Sequence, residues 1–244
     1  MSDVSASILH ARLADLVRDD PRVTPVFDRF GLDYCCRGQR TLQEASTEHC
    51  VPISEVLDEL VALGPRMDDS DGANEWPDLR DLIQHIVTRH HRYVREHQPV
   101  IQALLDKLAS RHGDRHPELH EVRAVFGLLA KEMVQHMDKE ENILFPFIES
   151  LCETDTAGQS HPGSPFGTIL NPIRAMEHEH LVAGTLLARI RTLTNGFQPP
   201  ADGCMSYRLC FESLAQFESD LHKHVHLENY VLFPRAAALE ATLA

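Results

Sequence analysis

The segments His136-Met-Asp-Lys-Glu140-Glu-Asn-Ile-Leu-Phe-Pro146 and His224-Val-His-Leu-Glu228-Asn-Tyr-Val-Leu-Phe-Pro234 are two copies of one pattern. Each places a histidine and a glutamate four residues apart and closes on Leu-Phe-Pro. On an α-helix such residues share a face, with Cβ atoms about 6 Å apart, so each copy aims an imidazole and a carboxylate the same way. Each copy also follows an upstream histidine: His91 lies 45 residues before His136, and His180 lies 44 before His224. A duplicated helix pair would set two equivalent ligand sets across a pseudo-twofold axis, which suits two metal ions.

Working outward, four long helices are expected at roughly 78–109, 117–150, 172–194 and 204–237, separated by breaks that carry Gly and Pro. No strand-like alternation intervenes. The fold class is therefore all-α: a four-helix up-down bundle. Apolar residues at 3–4 spacing mark the inward faces. The second helix has Val122, Phe126, Leu129, Met133, His136, Glu140, Ile143 and Phe147. The third has Ile173, Met176, His180, Ala183, Leu187 and Ile190, and the fourth has Cys210, Leu214, Phe217, Leu221, His224, Glu228 and Val231. These core stripes are interrupted by His and Glu. A carboxylate buried alone costs several kcal/mol, so a countercharge or metal is required.

Ahead of the bundle, residues 1–63 read as a small unit of short helices. Thr24-Pro25 fits a helix start, Gly31 a helix end, Thr41-Leu-Gln-Glu44 a capping box, and Ser54 a third cap. Residues 64–77 read as a linker, which leaves 78–244 for the bundle. Residues 152–171 form a long connection containing Gly, Pro and Ser. The chain has 244 residues, a formal charge of −14 and six cysteines. The negative charge disfavours an electrostatically driven nucleic-acid partner. The absence of a long apolar run or an N-terminal signal disfavours a membrane and secretion, so a cytoplasmic protein with reduced thiols is expected.

Sixteen histidines are too many to be ligands together. His222 and His226 sit two residues either side of His224 and are expected on other, exposed faces, as is His178. His85, His97, His112, His116, His120 and His161 are read as surface or loop residues. Between His90 and His91, Val87 and Val94 support the latter, whereas Ile86 and His97 support the former; the repeat spacing favours His91. Four His and two Glu form a nitrogen–oxygen donor set. Structural zinc more often recruits cysteine, and calcium and magnesium prefer all-oxygen shells. Two carboxylates able to bridge suit a pair of irons, with manganese a substitute.

This H…HxxxE…H…HxxxE constellation resembles the hemerythrin-like family. The front end, Phe30-Gly-Leu-Asp-Tyr-Cys-Cys-Arg-Gly-Gln-Arg-Thr-Leu, is similar to the N-terminal domain of the iron-sulfur cluster repair di-iron (RIC) proteins, and the resemblance covers nearly the whole chain. It implies His91, His136, Glu140, His180, His224 and Glu228 as ligands of two non-haem irons, oxo- or hydroxo-bridged, with both glutamates bridging. It also implies that Glu179 lines an access path. The related oxygen carriers use one more histidine, so a more open site is expected here.

The resemblance gives the adjacent Cys35 and Cys36 a functional thiol role. Arg37 and Arg40 nearby are expected to favour the thiolate, and soft thiolates can hold iron or exchange disulfides. The remaining cysteines, Cys50, Cys152, Cys204 and Cys210, read as structural or incidental. The function implied is repair of iron-sulfur clusters damaged by nitrosative or oxidative stress, by iron donation to the damaged protein. The alternative is nitric oxide binding or reduction at the di-iron centre; oxygen carriage leaves the Cys-Cys unit without a purpose. Short terminal domains of this kind often pair, so a homodimer is one expected assembly.

Overall fold

The computed structural model describes residues 3–64, 76–158 and 163–243. Five short helices come first: α1 (Asp3–His10), α2 (Leu13–Asp19), α3 (Thr24–Phe30), α4 (Leu42–Glu48) and α5 (Ile53–Ala62). Four long ones follow: α6 (79–112), α7 (118–156), α8 (Leu170–Leu193) and α9 (205–243). No strand occurs among the described residues; one antiparallel bridge joins Arg12 and Thr41. No helix there is long and apolar enough to cross a membrane. Helix α7 packs on both α6 and α8, and α6 packs on α9.

Local signals explain most helix ends. Thr41 and Glu44 form the reciprocal capping box, and Gly31 ends α3 at φ 66°, a left-handed conformation that favours glycine. Two expected caps are displaced. A 3₁₀ turn at Pro21–Val23, capped by Asp20, runs into α3, so Thr24 is its first residue, and α5 starts at Ile53, before Ser54. Helix α7 also outlasts its expected end, reaching Thr156. Of the expected linker, residues 65–75 lie outside the described residues, as do 159–162 of the long connection, including His161.

Three of the long helices are not uniform. Each contains one π-helical turn: Ile86–His91 in α6, Glu140–Leu144 in α7 and Glu228–Leu232 in α9. In the last two, the N–H groups of Phe145 and Phe233 donate five residues back, to the carbonyls of Glu140 and Glu228. Each widened turn accommodates one extra residue and rotates everything beyond it. Ile143, expected in the core stripe, is therefore 48% exposed, and Leu144 is 1% exposed in its place. In α9 the core residue is Leu232, with Val231 only partly buried.

The bundle interior is two apolar bodies. One contains Val94, Met133, Met137, Ala183, Leu221 and Val225, and is continuous with Leu13, Phe27, Leu32 and Leu42 of the N-terminal unit. The other contains Ile86, Leu144, Ile173, Met176, Leu232 and Phe233. On every long helix the proposed ligands lie between the two, so the structure has a polar layer between apolar ends.

Candidate metal centre

All six residues converge in that layer. His91, Glu140, His224 and Glu228 bring ligand atoms within 4.8 Å of one another, and so do His136, Glu140, His180 and Glu228. All six are buried, and the two glutamates belong to both groups. Helices α6 and α9 thus supply the histidines of one group, and α7 and α8 those of the other. His91 and His224 approach Nε2 to Nε2 at 3.1 Å, and His136 and His180 at 2.9 Å. Glu228 lies 2.9 Å from His224 through Oε1 and 3.1 Å from His180 through Oε2. Glu140 Oε2 lies 3.4 Å from His91 and 3.3 Å from His136.

The ring nitrogens facing away from the centre reveal the tautomers. His91 Nδ1 donates to Glu141 Oε1 (2.6 Å) and His136 Nδ1 to Glu179 Oε2 (3.0 Å), since a carboxylate can only accept. His180 Nδ1 donates to Asn229 Oδ1 (2.9 Å), whose Nδ2 in turn donates to the Cys35 carbonyl (3.0 Å). With Nδ1 protonated, neutral imidazoles turn three Nε2 lone pairs inward. Lone pairs facing one another at 3 Å repel unless a proton or a metal cation lies between them. At metal–nitrogen distances of about 2.1 Å, ligands at right angles on one ion sit about 3.0 Å apart, the spacing found here.

Without a metal, protons balance the charge of the layer. Burial would pull His91 and His136 down, but Glu140 with Glu228, and Glu140 with Glu179, raise them to about 9 and about 10. Burial and mutual repulsion would raise Glu140, yet His136 and His91 hold it low; Glu228 is held well below its ordinary range by His224 and His180. Both Glu140 oxygens and Glu228 Oε2 accept no hydrogen bond of good geometry among the described residues. Buried carboxylates that draw protons onto neighbouring histidines fit a divalent cation pair, whose binding displaces those protons. The nitrogen–oxygen set, free of thiolate, fits iron.

The duplicated motif explains each of its own letters. The residue after each glutamate, Glu141 or Asn229, braces the ligand histidine of the preceding helix, His91 or His180. The Phe of Leu-Phe-Pro stacks on that same ring: Phe145 on His91 (5.8 Å, 18°) and Phe233 on His180 (6.1 Å, 3°). Asn229 carried no signal in the sequence, because its role appears only once α9 and the Cys35 turn are side by side.

Several neighbours depart from expectation. His226 is buried at 4% exposure, its pKa lowered by that burial to about 4. His222 is only 13% exposed and pairs with Asp28 of α3 (2.9 Å). Both face the N-terminal unit, which covers a face that would be exposed on an isolated bundle. His90 is buried beside His91 because the π turn carries both inward, and it pairs with Asp220 (3.1 Å). His178 is exposed as expected.

Cys35 and Cys36 lie in a turn organised by Asp33, whose Oδ1 accepts the backbone N–H groups of Cys35, Cys36 and Arg37. Their sulfurs are 3.7 Å apart. Arg37 and Arg40 do not favour the Cys35 thiolate: both pair with Glu48, while burial, then Cys36 and Asp33, push the Cys35 thiol well above its ordinary range. Cys36 is partly exposed, and its Sγ donates to the His180 carbonyl at 3.2 Å. Gly184, one turn along α8, makes that approach feasible; a Cβ there would stand 3.0 Å from the Cys36 sulfur.

The hemerythrin HHE cation binding domain matches residues 82–236, and ScdA_N, a domain of unknown function (DUF542), matches residues 9–64. The chain is 36% identical to the iron-sulfur cluster repair protein YtfE of Musicola paradisiaca over 94% of its own length and 97% of the relative's. It is 34% identical to the YtfE of Pectobacterium atrosepticum (92% and 95%). It is 31% identical to the iron-sulfur cluster repair protein ScdA of Staphylococcus haemolyticus (91% and 95%).

Proposed function

The chain belongs to the hemerythrin-type family of iron-sulfur cluster repair proteins, and on that premise we propose that it returns iron to damaged iron-sulfur clusters in the cytoplasm. The observation that carries this reading is the pair of buried ligand groups sharing both glutamates. We assign His91 and His224 to one iron, His136 and His180 to the other, and Glu140 and Glu228 as bridges between them. Bound there by nitrogen and oxygen donors alone, ferrous iron is exchangeable cargo.

The protein's residues do the rest. Glu141, Glu179 and Asn229 hold three imidazoles in the tautomer that presents Nε2. Phe145 and Phe233 fix ring planes and keep water from the layer. The thiol turn is the element that meets the client, with Cys36 as its working sulfur, because Cys35 is 1% exposed. Cys36 touches the backbone of a ligand helix at the His180 carbonyl.

Metal analysis of anaerobically purified protein is expected to give two irons per chain. The loaded protein should restore activity to a nitric-oxide-damaged iron-sulfur enzyme, and Cys36→Ser should slow that recovery without lowering iron content. One tightly held zinc per chain would overturn the assignment. Catalytic consumption of nitric oxide without recovery of the client would favour the alternative chemistry.

A further inference from the structure

We propose that the two metal positions are unequal by construction, and that the iron held by His91 and His224 is released first because His224 lacks the brace given to the other three histidines. The inference rests on the two-iron donor reading above and assigns His90 as the positioning residue that creates the difference.

Three outward nitrogens meet an acceptor: Nδ1 of His91, His136 and His180. Nδ1 of His224 is buried and has no partner among the described residues. The internal repeat shows where its brace would come from. Glu179 precedes His180 and braces His136 on the neighbouring helix. Its counterpart preceding His91 is His90, and the counterpart of His136 is His224. Where one half has a carboxylate, the other has an imidazole.

His90 cannot substitute for Glu179. Its own Nδ1 is turned to Asp220 Oδ2 at 3.1 Å, and its ring lies parallel to His224, 5.7 Å between centroids at 9°. Stacking restrains the plane of the His224 ring. It neither fixes the tautomer nor increases the basicity of Nε2, which is what a carboxylate acceptor contributes. Loss of such a partner typically weakens a metal site about 10- to 100-fold. The location is consistent with release: His90 and Asp220 line a cavity of about 680 Å³ between α2, the start of α3 and the bundle. The braced position lies on the opposite side, under Glu179 and Asn229.

The test is iron release from the full-length, ferrous-loaded protein into an excess of a coloured ferrous chelator, followed anaerobically in a stopped-flow instrument. Iron content is measured first; fewer than two irons per chain would defeat the two-iron reading itself, before any question of inequality. With two bound, release in two equal phases is expected, with rates about 10- to 100-fold apart. His90→Glu, which restores the missing acceptor, should slow the fast phase toward the slow one. Glu179→Ala, which removes the existing brace, should accelerate the slow phase toward the fast one. Mössbauer spectra should show two distinct ferrous doublets in the native protein that move closer in His90→Glu. A single release phase for both irons overturns the proposal, as does a fast phase unchanged in His90→Glu at full iron content. Should His90→Glu fail to load, the Glu179→Ala arm decides: a slow phase left unchanged there overturns the proposal equally.

Discussion

One amide ties the thiol turn to a ligand ring. Asn229 accepts from His180 with its oxygen and donates to the Cys35 carbonyl with its nitrogen, so the thiol turn and a ligand ring share one side chain. Asn229→Asp keeps an acceptor for the imidazole but sets a carboxylate against a carbonyl. Asn229→Leu removes both bonds. The leucine variant is expected to lose iron affinity about 10- to 100-fold at the His180 position with unchanged helical circular dichroism. The aspartate variant should retain iron yet loosen the Cys35–Cys36 turn, seen as faster alkylation of Cys36. Equal iron retention by native and leucine forms against a chelator would remove Asn229 from the site. Glu140→Ala and Glu228→Ala are each expected to lower bound iron below two per chain with the helices intact, measured by metal analysis and circular dichroism.

At the scale of the element, the π turns decide which side chains count as core. A regular helix through Ile143 would bury it; the extra residue between Glu140 and Leu144 exposes it instead. Ile143→Ser is therefore expected to change stability by no more than about 0.5 kcal/mol, and Leu144→Ala to cost about 2–5 kcal/mol. Urea denaturation measures both, and a costly Ile143→Ser would mean the turn is an ordinary α-turn. Here lies the limit of what could be read from the chain. The ligand spacing, the four long helices, the capping box at Thr41 and the Cys-Cys turn were legible because each rests on local geometry. The residues immediately beyond Glu140 and Glu228, Ile143 and Val231, were not, because an i,i+4 stripe assumes a uniform helix; Phe147, further along, is buried as expected. Nor were His222 and His226, whose burial depends on α2, α3 and the Cys35 turn covering that side of α9.

At the scale of the molecule, the N-terminal unit is held by charge as well as by its shared apolar core. Asp28 of α3 accepts from His222 and from Ser219 of α9, and the Asp28 carbonyl accepts from Arg191 of α8, itself paired with Glu218. Burial would lower His222, but Asp28 and Glu218 raise it to about 9, above its ordinary 6.5. Its contribution is thus complete below about pH 6.5 and is lost as pH rises through 9. Burial would raise Asp28, but His222 and Ser219 hold it below its ordinary 3.8, so its contribution is lost only in acid. Hydrogen exchange in α3 is expected to accelerate between pH 6.5 and 9.5 beyond the intrinsic chemical rate, and Asp28→Asn should abolish that excess. An identical pH profile in the variant would sink the idea.

The layering of the interior has a consequence for cooperativity. Two oily compartments divided by a charged storey have little reason to melt together once the ions between them are gone. Iron-loaded protein should give one calorimetric transition, whereas the iron-free form should show the compartments separately, the one containing Ile86, Leu144 and Leu232 parting from the one that includes the N-terminal unit. If iron donation is the function proposed above, release of the metal would also soften the protein, a difference that limited proteolysis of loaded and iron-free samples would read.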